Sequence, residues 1–242
     1  MNIIITGASR GIGYETAKLL SKDHQVIAIS RSAEKNKLPG VISINFDFEK
    51  GDVSKDLLPK IKKALSPLSS GRGVGGEVAI DVLINNAATL INKPFEKLTR
   101  KEFEKVYSVN LFSIAELTQN LLPMMTSTLK GGTGGAAGHV LNIASMGGIQ
   151  GSLKFSGLSA YSSSKGALIT LTECLAEEFK GKGISFNAIA FGSVQTEMLA
   201  EAFPGFKAPI SAPEAAKFVA DFALTGNKYF NGKILQMALS TP

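Results

Sequence analysis

Short runs of branched apolar residues recur near 2 to 6, 25 to 30, 41 to 46, 79 to 84, 138 to 144, 184 to 190 and 233 to 238, with helical apolar spacing between most of them. This alternation leaves few architectures open. Strands joined through helices cross over right-handed and build a mainly parallel sheet with helices on both faces. The reading is a doubly wound α/β fold of seven strands, formed as one domain over residues 1 to 242. Thr99-Arg-Lys-Glu102 and Ser211-Ala-Pro-Glu214 match capping boxes, so helices should start before Phe103 and before the segment Ala215 to Leu224. Phe103, Val106, Tyr107, Leu111, Ala115 and Leu117 form a mostly apolar helical stripe, read as core.

The first run, Asn2 to Thr6, leads straight into Gly7-Ala-Ser9-Arg10-Gly11-Ile12-Gly13, after which the apolar spacing turns helical. In a strand–turn–helix of this kind, glycines let the backbone approach a phosphate, and the first free amides of the helix favour negative charge. Two other glycine-rich stretches, Ser66 to Gly76 and Lys130 to Gly135, do not follow a strand and open a helix, and read as flexible surface loops.

Tyr161 and Lys165 lie four apart in Tyr-Ser-Ser-Ser-Lys, after Ser145 at the end of a strand-like run. On a helix that spacing sets an ammonium beside a phenol. A nearby cation favours phenolate, so the pair could turn a weak acid into a proton carrier in a site with little water.

Thr6 to Gly13, Asn85-Asn86-Ala87, Asn110, Ser145, Tyr161 and Lys165, in this order, resemble the short-chain dehydrogenase/reductase family over nearly the whole chain. The resemblance implies a Rossmann-type domain and an oxidoreductase with a nicotinamide cofactor. By resemblance Tyr161 is the general acid or base, Ser145 binds the reacting oxygen, Lys165 holds nicotinamide ribose and lowers the tyrosine pKa, and Asn110 holds a water of the proton relay. It also places Asp47 and Phe48 near adenine, Asn86 and Ala87 near the adenosine ribose, Val194 and Thr196 near the nicotinamide carboxamide, and Gly192 among the cofactor-binding residues.

The second strand ends Ser30-Arg31, with no acid where an NAD-selective protein offers one to the ribose hydroxyls. A guanidinium welcomes a 2′-phosphate, and Arg10 supports Arg31, so NADPH (NADP+) is expected over NADH. The expected activity is reduction of a carbonyl to an alcohol, with small-molecule or carrier-protein-linked substrates both open. The rival is a cofactor-binding sensor or scaffold without turnover.

Three positions depart from the family pattern. Ala88 replaces a glycine, Phe191 stands where proline is usual, and Ser145 lies three residues further from Tyr161 than usual, lengthening the loop from Met146 to Ala160. Phe191 could narrow the pocket or pack against the sheet. Thr196 to Ser211, with Met198, Leu199, Phe203 and Phe206, reads as a lid over the cleft or as plain packing.

The net charge of +6 is read as dispersed lysine, because no aromatic-basic pattern for nucleic acid accompanies it. His24 and His139, placed at loop or strand edges, lack metal-ligand spacing, and no metal is expected. Cys174, the single cysteine, reads as a buried helix position. A strand from the second residue and the lack of a long apolar run point to a cytoplasmic protein away from membranes. By resemblance it forms a homodimer or homotetramer through helices around 100 to 128 and 160 to 180.

Overall fold

A computed structural model describes residues 1–33, 38–66, 79–126 and 138–239. The two glycine-rich stretches expected as surface loops fall, apart from Ser66, outside the described residues.

The strands β1 (Asn2–Thr6), β2 (Gln25–Ser30), β3 (Val41–Asn45), β4 (Val82–Asn85), β5 (Gly138–Ser145), β6 (Ile184–Phe191) and β9 (Ile234–Met237) form one sheet in the order β3-β2-β1-β4-β5-β6-β9. All six pairings are parallel. Alternate residues feed opposite faces. Ile3 and Ile5 pack with Ala17 and Leu20 of α1 (Gly11–Leu20) and Val219 and Phe222 of α7 (Ala212–Thr225). Ile4 faces the other way, with Leu57, Ile61 of α2 (Leu58–Leu65) and Leu117 and Leu121 of α4 (Ser113–Thr126). Burial on both faces explains why these strands read as continuous apolar runs.

Both capping boxes form, at Thr99–Glu102 before α3 (Arg100–Tyr107) and at Ser211–Glu214 before α7. The strand expected from 79 begins at Val82, because Ile80 N–H donates to Met124 O at 3.0 Å and the Asp81 carboxylate accepts Asn2 N–H at 2.6 Å. Of the apolar stripe, Val106 and Leu117 are fully buried, whereas Phe103 and Tyr107 stack at the surface beside Phe112, which is 60% exposed. A π-helical turn, Ser108–Phe112, separates α3 from α4 and shifts the phase of the stripe.

Two further expectations change. Cys174 is exposed on α5 (Ser159–Glu178), whose inward side carries Leu168, Thr172 and Ala176; a residue two beyond Thr172 lies on the opposite side of a helix with about 3.6 residues per turn. His139 is no edge residue. It is sealed inside β5, with Nδ1 2.9 Å from Ala223 O and Nε2 3.1 Å from Asn187 Nδ2, and burial lowers its pKa to about 4.

Asn85 and Asn142 face each other across β4 and β5, amide to amide at 2.9 Å, and Asn142 Nδ2 donates onward to Thr172 Oγ1 at 2.9 Å. This buried polar chain ties the middle of the sheet to α5. Among the described residues no helix is long and apolar enough to cross a membrane.

Candidate active site

The strand order reverses direction of growth at β1, where one connection runs outward to β2 and the next returns to β4, and a crevice opens outside the carboxyl ends of such strands. A cleft of about 680 Å³ occupies that place. Its floor begins with the turn after β1. Gly7 has φ of 69°, and a Cβ there would meet Ala87 Cα at 2.7 Å. The Thr6 hydroxyl oxygen accepts N–H bonds from Asn86 and Ala87, both at 3.0 Å, which pins the turn to the end of β4. Helix α1 then opens without an acidic residue in its first turn and without a side-chain cap. Its leading amides remain free for an anion.

Of the residues expected around a cofactor, Gly7, Ser9, Arg10, Gly11, Ile12, Ser30, Arg31, Asp47, Phe48, Asn86, Ala87, Gly192, Val194 and Thr196 all line this cleft. Gly13 lies behind the surface. A Cβ on it would meet Asn86 Nδ2 at 2.4 Å, so its smallness lets α1 sit close to β4. Arg10 is engaged: its guanidinium pairs with the Glu201 carboxylate of α6 (Glu197–Ala202), with Nη2 3.1 Å from Oε2.

Ser145, Tyr161 and Lys165 converge on the same cleft. Ser145 ends β5, its Oγ accepting Gly147 N–H at 3.2 Å, and it hydrogen-bonds the Tyr161 phenol. Lys165 is 1% exposed, and its Nζ donates to Ile143 O at 2.7 Å while lying 5.9 Å from the Tyr161 ring centre. Burial pushes Tyr161 up to about 12 against the opposing pull of the Ser145 hydrogen bond, and burial draws Lys165 down to about 8. The expectation of a phenol made more acidic by its neighbour is therefore reversed in the chain by itself. Desolvation dominates, and the ammonium is aimed at a backbone carbonyl.

Asn110 does not reach the cleft surface. Fully buried in the π-helical turn, its Oδ1 accepts Thr89 N–H at 2.8 Å and its Nδ2 donates to Thr89 O at 2.9 Å and Ser164 Oγ at 3.0 Å. Ser164 Oγ in turn donates to Tyr161 O at 2.7 Å, so Asn110 positions the first turn of α5 against the segment after β4. Phe191 does both things considered for it. Buried at 5% exposure, it packs in the core and also lines the cleft beside its sheet partner Ser145.

The segment expected as a lid holds α6 between the two strands of a small parallel pair, β7 (Val194–Gln195) and β8 (Ile210–Ser211). Sequence reading missed Asn92 and Glu201. Asn92 Nδ2 donates to Ala202 O at 2.8 Å and ties the lid to the strand-following loop; nothing in a lone exposed asparagine announces that. Among the described residues no group of three or more His, Cys, Asp or Glu could hold a metal ion.

A short chain dehydrogenase model matches residues 1–205, and the chain belongs to the short-chain dehydrogenase family of oxidoreductases. It is 30% identical over 230 residues to a ketoacyl reductase of Nostoc sp., covering 88% of this chain and 72% of that one. A 3-oxoacyl-[acyl-carrier-protein] reductase of Aquifex aeolicus is 32% identical over 201 residues, covering 81% and 75%. In fold it resembles a 3-ketoacyl-(acyl-carrier-protein) reductase from Brucella melitensis complexed with NADH, with TM-score 0.81, 22% identity and coverage of 97% and 95%.

Proposed function

We propose that residues 1–242 act as one Rossmann-type domain that reduces a carbonyl to an alcohol with NADPH. The observation that carries this reading is the convergence of Ser145, Tyr161 and Lys165 on the cleft that also holds the glycine turn and Arg31.

The residues present fit a nicotinamide dinucleotide: bare amides at the start of α1 for the pyrophosphate, apolar Ile12 and Val194 for rings, and no acid at the end of β2. Such a cofactor supplies the hydride. Ser145 hydrogen-bonds the carbonyl oxygen and polarises it, and Tyr161 donates the proton that oxygen takes up. A phenol near 12 is fully protonated at neutral pH, which suits it to give a proton to an alkoxide, a much stronger base. Lys165 holds positive charge beside the ring, and Asn110 keeps Tyr161 in register through Ser164. Arg31 and Arg10 favour a 2′-phosphate over a free ribose.

The substrate is a small molecule or a carrier-protein-linked thioester, as the names of the bacterial relatives suggest. A cytoplasmic location and homodimer or homotetramer assembly belong to the same proposal, the latter supported by the exposed Phe112 beside stacked Phe103 and Tyr107. Titration with both cofactors and an absorbance assay on a carbonyl panel test it. Turnover with NADPH is expected. A tenfold preference for NADH defeats the cofactor assignment, and binding without turnover on any carbonyl favours a sensor.

A further inference from the structure

The charged side chains lining the cleft are unevenly placed. Arg31, Asp47 and Glu49 stand at the ends of β2 and β3. Arg10 and Glu197 gather at the glycine turn, where Glu197 Oε2 lies 3.5 Å from the position of a Cβ on Gly11. Lys165 sits at the centre, held by Ile143 O. Around these polar groups the lining includes Leu90, Leu153, Phe155, Phe203, Phe206 and Leu239, with no charge among those six.

Four of these are exposed although large and apolar: Leu153 at 56%, Phe155 at 55%, Phe206 at 49% and Leu239 at 76%. Apolar surface gathered around polar catalytic groups is what a ligand covers. The wall is also held in place. Ser152 Oγ donates to Ile149 O at 2.9 Å, and Lys154 Nζ turns back to the same carbonyl at 2.6 Å, so the cation between Leu153 and Phe155 is tied to its own loop while those two residues line the cleft. Phe155 meets Phe203 edge to face at 6.4 Å, joining the lengthened loop to the lid. At the back, Lys93 N–H donates to Gly157 O at 2.9 Å and Asn92 reaches Ala202 O.

We propose that this end of the cleft selects an uncharged carbonyl compound bearing an apolar chain or ring, seated against Leu153, Phe155, Phe203 and Phe206. The inference rests on the carbonyl-reductase reading and narrows it. The carbonyl carbon gains the hydride of NADPH, the oxygen gains a proton from Tyr161, and the alcohol leaves with Tyr161 reprotonated from solvent. A ketose or a 2-oxo acid would have to desolvate hydroxyls or a carboxylate against a wall that offers them no partner.

The test uses the full chain with NADPH and, in parallel, NADH. The panel holds methyl ketones of increasing alkyl length, an aryl ketone, a ketose and a 2-oxo acid. KM is expected to fall about three- to fourfold per added methylene until the wall is covered. kcat/KM for the longest ketone should exceed that for the ketose and the oxo acid by at least about tenfold, as pocket discrimination of this size allows. Phe155→Ser, at a half-exposed position, should raise ketone KM about fivefold or more while NADPH Kd, read by cofactor fluorescence, stays within about twofold. Binding of an unreactive amide of the same chain length, followed by calorimetry with NADP+, should weaken in parallel. Equal or better turnover of the ketose or oxo acid overturns the substrate class and leaves the reductase reading standing. An unchanged ketone KM and amide affinity in Phe155→Ser does the same. No turnover of any carbonyl with either cofactor overturns the reductase reading and this inference with it.

Discussion

Arg10 and Glu201, 191 residues apart in sequence, join the glycine turn to the lid helix through a two-point guanidinium–carboxylate pair. The pair occupies the arginine proposed above for a 2′-phosphate, and it ties α6 to the same turn. Both side chains reach solvent, which screens the pair, so it adds little to stability. Glu201→Gln should therefore leave the melting temperature nearly unchanged. It should tighten NADPH about two- to fivefold and NADH less, because only NADPH carries the additional phosphate. Equal effects on the two cofactors, measured by fluorescence titration, would remove Arg10 from phosphate recognition.

Tyr161→Phe keeps the ring and deletes the proton. Turnover should fall about a hundredfold or more, with cofactor affinity nearly intact. Wild-type turnover in this variant overturns the assignment of Tyr161 as proton donor.

Lys165 is a buried cation with one backbone partner, and its folded pKa of about 8 lies below the 10.5 of a lysine in water. Between those values the unfolded chain binds a proton that the folded one releases, so this group adds stability as pH rises through the window and subtracts it below. Lys165→Met should raise the melting temperature of the cofactor-free chain near pH 7 and abolish turnover. A lower melting temperature would indicate that the ammonium stabilises the fold.

His139 works the same way at lower pH. Neutral and buried, it titrates near 4 rather than 6.5, so its contribution is whole above 6.5 and lost as pH falls toward 4. Urea unfolding should show a loss of about 2 kcal/mol between about pH 7.5 and about pH 5 from this residue. The difference from His139→Gln across that range isolates it. Matching slopes would show that His139 does not drive the acid sensitivity.

Gly157 has φ of 84°, and a Cβ there would fall 2.1 Å from Asn92 Oδ1. Gly157→Ala should loosen the loop that carries Phe155, raising carbonyl KM severalfold with NADPH affinity unchanged, at about 1–3 kcal/mol of stability. Steady-state kinetics with cofactor titration separates the two. A weakened NADPH affinity would show that the loop also supports the cofactor.

The sheet and the glycine turn were legible because they rest on local periodicity and on glycines that alone fit, as at Gly7. Capping boxes were legible for the same reason, since Thr99 and Glu102 report on each other within one turn. What was hidden depends on distant partners. Asn92, Glu201 and the outward turn of Cys174 follow from how loops and helices meet, and the sense of the Tyr161 shift follows from burial, which spacing does not reveal.

Strands that are apolar on both sides carry little to distinguish correct alignment from a slip by one residue, which would swing every side chain to the other face. The amide pairing of Asn85 with Asn142 breaks that ambiguity, because a slipped sheet would strand both amides in hydrocarbon. Three residues further along β5 stands Ser145, and one beyond Asn85 stands Asn86. Two interior asparagines thus act as the alignment mark that brings the ends of β4 and β5, with Asn86 and Ser145, to face one another.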